Sequence, residues 1–216
     1  CLYDVLRRPD TFCAIWTRNR YEALSLWAAT ERHTEHSKFE AYSDAALGAG
    51  RVADDALLAI SMLLMNTGGS AHAARILDDL IARHERGQKP LDALQRALGL
   101  RGNIHHAAGE LQRAESLYKR KLDVCERTRN QVERSRALGN IGLVCFAQHR
   151  NDDALEYFLQ VETVCEKNGD VDGLQRALGN IGNVYARRND AAAALEQYER
   201  QERLCRDTCN TATATT

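Results

Sequence analysis

Three copies of one short string, each 40 residues after the last, govern what this chain can fold into. Residues 95–100 read QRALGL, 135–140 read SRALGN and 175–180 read QRALGN. The later pair extends without a gap to SRALGNIGLV and QRALGNIGNV. A fixed period of this kind marks a repeat architecture. One supersecondary unit cannot bury its apolar face alone, so it stacks on copies of itself.

Each copy holds two helical patterns. In the last one Leu178, Ile181, Gly182 and Tyr185 lie at i, i+3, i+4 and i+7, one face of a helix. Arg188, Asn189 and Asp190 interrupt the pattern, and Asp190 is placed to cap the next helix. Ala194, Tyr198 and Gln201 follow on the second helix, with Leu195 and Leu204 adding apolar surface. The copy before gives Leu138, Ile141, Gly142 and Cys145, then Ala154, Phe158 and Val161, with Asn151 as the expected cap. The copy before that gives Leu98, Gly102, His105, Ala114 and Tyr118, with Gly109 at the turn. Only 2 prolines occur in 216 residues, which leaves helices of this length uninterrupted.

The chain resembles the tetratricopeptide repeat family at Ile181-Gly182, Tyr185, Ala194 and Tyr198, and at Ile141-Gly142, Ala154 and Phe158. The usual repeat has about 34 residues; the longer period is similar to that of kinesin light chains and of spindle-orientation and polarity adaptors. The departures are Gln201 and Lys121 in place of the last small residue, and Arg101 where Ile141 and Ile181 stand. The resemblance implies an all-α fold: a right-handed superhelical solenoid of antiparallel helix pairs, its concave groove lined by the first helix of each pair. Repeats are expected over 95–134, 135–174 and 175–209. A weaker copy is expected over 54–94, with Leu57, Ile60, Ser61 and Leu64 on one helix, a turn at Gly68 and Gly69, and Ala73, Leu77 and Leu80 on the next. Residues 1–53 read as a degenerate helical repeat or cap. There 20–33 and 39–47 are helical patterns and Phe12, Trp16 and Trp27 are candidate capping or docking aromatics. Residues 210–216 hold no large apolar side chain and read as a flexible tail.

With the core positions set aside, a polar stripe remains on each first helix. Arg176, Asn180, Asn183 and Arg187 stand at i, i+4, i+7 and i+11. The copy before gives Arg136, Asn140, Leu143 and Ala147, and the one before that Arg96, Leu100 and Asn103. Asn is a mediocre helix former, but its amide can satisfy both the N–H and the C=O of an extended backbone. The neighbouring guanidinium suits a carboxylate. In the adaptor families that the chain resembles, inner-helix Asn residues hold an extended partner segment; carried over, that role falls on Asn103, Asn140, Asn180 and Asn183, with an acidic segment as ligand. A solvated helix face, or caps on neighbouring loops, describes the same residues. Four glycines also lie within these helices, each costing about 0.8–1 kcal/mol relative to Ala. Gly142 and Gly182 are expected at close helix approaches, Gly139 and Gly179 on the groove side.

Other chemistry finds little support. Lys plus Arg is 29 against 30 Asp plus Glu, so no global field points to nucleic acid. The longest apolar stretch, 56–65, is too short to span a bilayer. The chain opens on Cys1 rather than Met, the pattern of a fragment, so a targeting signal can lie outside it. Seven cysteines with no CxxC pair fit a reducing, cytoplasmic setting, with cytoskeletal or ciliary association open. Cys125, Cys165 and Cys205 recur every 40 residues and read as small core residues, since equivalent positions in a stack lie too far apart for a disulfide. Cys205 with Cys209, and His33 with His36, are poor metal pairs, and His105 and His106 point to different faces. No phosphate loop, GxSxG or HExxH is present. The expected function is a non-catalytic protein–protein interaction scaffold without cofactor or metal. Its alternatives are a structural subunit using convex or end surfaces, in an axonemal or transport assembly, and a regulatory segment of a larger enzyme.

Overall fold

The computed structural model describes residues 54–66, 68–87 and 91–214. The degenerate repeat expected over 1–53, with its candidate aromatics, lies outside the described residues. Among the described residues there are eight helices and no strand: α1 Asp54–Asn66, α2 Ser70–Arg86, α3 Leu91–Ala107, α4 Leu111–Thr128, α5 Gln131–Ala147, α6 Asn151–Asn168, α7 Val171–Arg187 and α8 Ala191–Ala214. The chain divides into two compact units, Cys1–Ile104 and His105–Thr216.

In the first unit the weaker copy folds as its pattern suggests. Leu57, Ile60, Ser61 and Leu64 of α1 are buried, as are Ala73, Leu77 and Leu80 of α2. Gly68 turns the chain between them at φ +91°, a conformation that costs a residue without Cβ little. Ser61 Oγ donates to the Leu57 carbonyl at 2.8 Å, which satisfies a hydroxyl in a dry core. Arg101, the departure at an apolar repeat position, reaches Asp78 of α2 with Nε at 2.8 Å and a terminal nitrogen at 3.3 Å. His84 Nε2 meets Asp54 at 3.0 Å.

In the second unit the 40-residue period becomes backbone geometry. Gly109, His149 and Asn189 all have φ between +60° and +76°, and so close the turns before α4, α6 and α8 in the same way. Arg129 and Gly169 end α4 and α6 in the left-handed conformation, and their N–H groups return to the last carbonyls of those helices. Asn130 caps α5 by accepting from the Glu133 N–H at 3.1 Å. Asp170 caps α7 through the Gly173 N–H at 2.9 Å, and Asp190 caps α8 through the Ala193 N–H at 3.1 Å. Asn151 does not cap α6: Arg150 occupies that position without a side-chain bond, and Asn151 is the first helical residue. Its polar side chain lies one residue too far along to reach back. The first helices begin at Leu91, Gln131 and Val171, ahead of the strings at 95, 135 and 175. At the other end α8 stays helical to Ala214, into the segment that reads as a tail.

Neighbouring helices share one core rather than closing separately. Ala114 and Tyr118 of α4, Ile141, Val144 and Cys145 of α5, Ala154 and Phe158 of α6, and Ile181 and Val184 of α7 form a single buried cluster. Leu138, Val161, Val164, Cys165 and Ala177 form a second beside it. Burying each of the larger side chains is worth about 1.5–3 kcal/mol. That is why one helix pair needs the next.

Candidate functional site

The shared core leaves α5 and α7 in contact side by side, with α6 behind them. Between them lies a cleft of about 100 Å³. Phe158 and Val161 of α6 and Ala177 of α7 contribute apolar surface; Leu143, Gly139, Ser135 and Gly173 complete the walls. Arg136 and Asn140 border it from α5, Arg176 and Asn180 from α7. None of the lining residues is acidic. Both arginines are exposed and both asparagines half-buried.

Each basic group is held in place. Arg176 Nε donates to the Asp172 carbonyl one turn earlier, at 3.2 Å. Arg136 meets Glu133 at 2.5 Å, and the other oxygen of Glu133 accepts from Lys121 Nζ of α4 at 2.7 Å. Lys121 and Glu133 have side chains only 5% and 13% exposed. Burial pushes the Glu133 carboxyl up, but the Lys121 ammonium and the Arg136 guanidinium outweigh it and hold the group below the usual carboxylate range. Glu133 is therefore an anion tying a buried cation to the rim of the cleft.

The other expected ladder residues are placed differently. Asn183 accepts a hydrogen bond from the Tyr198 hydroxyl at 2.8 Å. Arg187 lies over the Phe146 ring, 3.2 Å from its centroid, and donates to the Phe146 carbonyl. Arg96 and Asn103 stand on α3 in the first unit, where Arg96 pairs with Asp55 of α1 at 2.8 Å. Arg136, Asn140, Arg176 and Asn180 are thus the four that the fold gathers at one cleft.

The glycines separate in the same way. A Cβ on Gly142 would come within 2.6 Å of the Phe158 ring, and one on Gly182 within 2.5 Å of the Tyr198 ring, so both mark close helix approaches. Gly139 lines the cleft, and a Cβ there would meet only a Val161 methyl at 3.8 Å. Gly179, expected on the groove side, instead faces the Gln201 amide, 2.9 Å from where its Cβ would be. That amide donates to the Gln175 carbonyl at 2.9 Å, so a side chain of the chain itself fills the space. Sequence reasoning missed the Lys121–Glu133 support. Its one signal was Lys121 at a small-residue position, with Glu133 one turn before Arg136.

Three of the described cysteines are withdrawn from solvent. Cys125, Cys145 and Cys165 are buried free thiols, Cys205 is half-buried, and burial pushes Cys125 up to about 11. His105 pairs with Glu110 at 2.5 Å. Among the described residues no group of three or more His, Cys, Asp or Glu side chains could hold a metal ion. No described helix is long and apolar enough to cross a membrane.

Comparison with known proteins follows the same lines. The tetratricopeptide repeat profile matches residues 93–167 and again 133–207, together more than half of the 216 residues. No curated protein matches the sequence. Among solved structures, BtubC (BKLC) from P. vanneervenii is similar at 19% identity and a TM-score of 0.73, covering 97% of this chain and 91% of that one. MamA is similar at 19% identity and a TM-score of 0.61, covering 79% and 89%. The tetratricopeptide repeat domain of Arabidopsis FLU is similar at 18% identity and a TM-score of 0.52, covering 55% and 99%. At such identities the likeness speaks for the fold. The repeat period, the shared helix-pair core and the profile agree: the chain belongs to the tetratricopeptide repeat family, and is a helical protein-interaction scaffold.

Proposed function

We propose that this scaffold binds an extended, acidic peptide segment of a protein partner along α5 and α7, without catalysis. The observation that carries this reading is the cleft itself: two arginines and two asparagines around an apolar floor, with no carboxylate among the lining residues. The Asn140 and Asn180 amides suit the N–H and C=O groups of a passing backbone, and the Arg136 and Arg176 guanidinium groups suit its carboxylates. The buried free thiols fit a reducing compartment such as the cytoplasm. The test is the double substitution Asn140→Ala with Asn180→Ala. Affinity for acidic synthetic peptides should fall by about tenfold or more, while helicity and melting temperature stay as in the wild type. Binding that survives the double substitution removes the asparagines from the reading.

A second reading, a structural subunit packed through its outer or end surfaces, has one observation in its favour. Leu195 and Tyr198, three residues apart on one face of α8, are 58% and 36% exposed. Substituting Leu195→Glu would abolish assembly on that reading and leave peptide binding untouched.

A further inference from the structure

The cleft has a size, and size is a statement about the ligand. An engineered apolar cavity of about 150 Å³ accepts benzene; this one holds about 100 Å³, roughly two thirds of that. Its apolar surface comes from Leu143, Phe158, Val161 and Ala177, and it is open where Gly139 carries no side chain. We infer that it is a socket for one aliphatic side chain of Val, Leu or Ile size, borne by the extended acidic segment, and that it is too small to seat an indole. This rests on the groove reading above and adds a position-specific requirement to it.

Three features converge on that assignment. Phe158, Val161 and Ala177 offer no hydrogen-bond partner at the floor, so an aliphatic side chain loses least on entering it. Arg136 and Arg176 stand on different helices at the rim, so the acidic residues belong on both sides of the aliphatic one. The socket also does not recur one repeat later. There Gln201 takes the place of Val161, and its amide stands against Gly179. One aliphatic anchor in one register is the consequence.

Synthetic peptides test this, each with glutamates flanking a central Leu, Ala or Trp, measured by fluorescence anisotropy on the whole chain. The Leu peptide should bind about tenfold or more tighter than the Ala peptide, and the Trp peptide no tighter than the Ala peptide. Gly139→Leu, which fills the socket, should erase the advantage of Leu while leaving the salt-sensitive binding of the Ala peptide. Leu143→Ala, which widens it without touching a glycine, should raise the affinity of the Trp peptide relative to Leu. Equal binding of Leu and Ala peptides, sensitive to Asn140→Ala with Asn180→Ala, overturns the socket and keeps the groove. A preference for Trp in the wild type also overturns it. No binding by any acidic peptide overturns both.

Discussion

The helix pairs α5–α6 and α7–α8 begin from nearly the same sequence and end as different surfaces. Their first helices share the string RALGNIG, placed 40 residues apart. Around it, Phe158 becomes Tyr198, Val161 becomes Gln201, Leu143 becomes Asn183 and Ala147 becomes Arg187. In the earlier pair these positions are apolar, and Leu143, Phe158 and Val161 border or underlie an open cleft. In the later pair each is polar and spent on a neighbour: Tyr198 on Asn183, Gln201 on the Gln175 carbonyl, Arg187 on Phe146. The repeat string fixes where backbones approach. Whether the space beside it takes a ligand depends on the residues between the strings.

The aromatic pair gives the largest contrast. Phe158 is 1% exposed, enclosed by α4, α5 and α7, whereas Tyr198 is 36% exposed. Phe158→Ala should cost about 3–5 kcal/mol of unfolding free energy. Tyr198→Ala loses a partly wet ring and one hydrogen bond, and should cost about 1–2 kcal/mol. Urea denaturation of the two variants measures both. Equal costs would mean that α8 is packed as tightly as α6, and the contrast between the pairs would be gone.

How much of this the sequence carried differs by level. The 3.6-residue pattern and the repeat string were enough for the helix pairs, because buried positions such as Ile141, Ala154 and Ile181 recur in phase. The caps were harder. Asp190 and Asn151 look alike in the sequence, yet only Asp190 precedes its helix and reaches an N–H. At the site, stripe position was legible: Arg136, Asn140, Arg176 and Asn180 do meet at one cleft. Side-chain engagement was not, because it depends on partners from other helices. Helical spacing does not say that Tyr198 will reach Asn183, or that Phe146 will lie beneath Arg187. The three departures from the family pattern now have physical reasons. Arg101 pairs with Asp78, Lys121 with Glu133, and Gln201 with a backbone carbonyl.

The junctions between pairs sharpen the contrast with charge. At α4–α5 the contact is Lys121 with Glu133; the positions one repeat later are Val161 and Gly173. Glu133→Gln leaves the Lys121 ammonium buried with a weaker partner, and should cost roughly 2–3 kcal/mol at neutral pH. Because the Glu133 carboxyl titrates below its ordinary value of 4.5, its contribution is complete above that pH. It is lost as pH falls through the lower folded-state value. Melting temperatures of wild type and variant should therefore differ at pH 7 and converge in acid below 4.5. Val161→Ala at the other junction should show a difference that does not change across the same range. A Glu133→Gln penalty that persists unchanged in acid would show that the pair acts by packing rather than by charge.

The glycines give the smallest effects and the most local test. Ala in place of Gly gains about 0.8–1 kcal/mol of helix propensity, so the sign depends on what the new methyl meets. At Gly142 it meets the Phe158 ring, which is buried and has nowhere to move, so overpacking of about 1–3 kcal/mol should leave a net loss. At Gly182 it meets Tyr198, whose ring can swing into solvent. The cost is then the hydrogen bond to Asn183, about 1 kcal/mol, and the net change should lie within about 0.5 kcal/mol of zero. At Gly139 the nearest atom is a Val161 methyl at ordinary contact distance, and Ala should stabilise by about 0.5–1 kcal/mol. The order Gly139, Gly182, Gly142, from gain to loss, can be read by urea denaturation of three single variants. Backbone entropy alone would make all three equal gains. The spread among them therefore reports the side chains opposite, which is where the two helix pairs part.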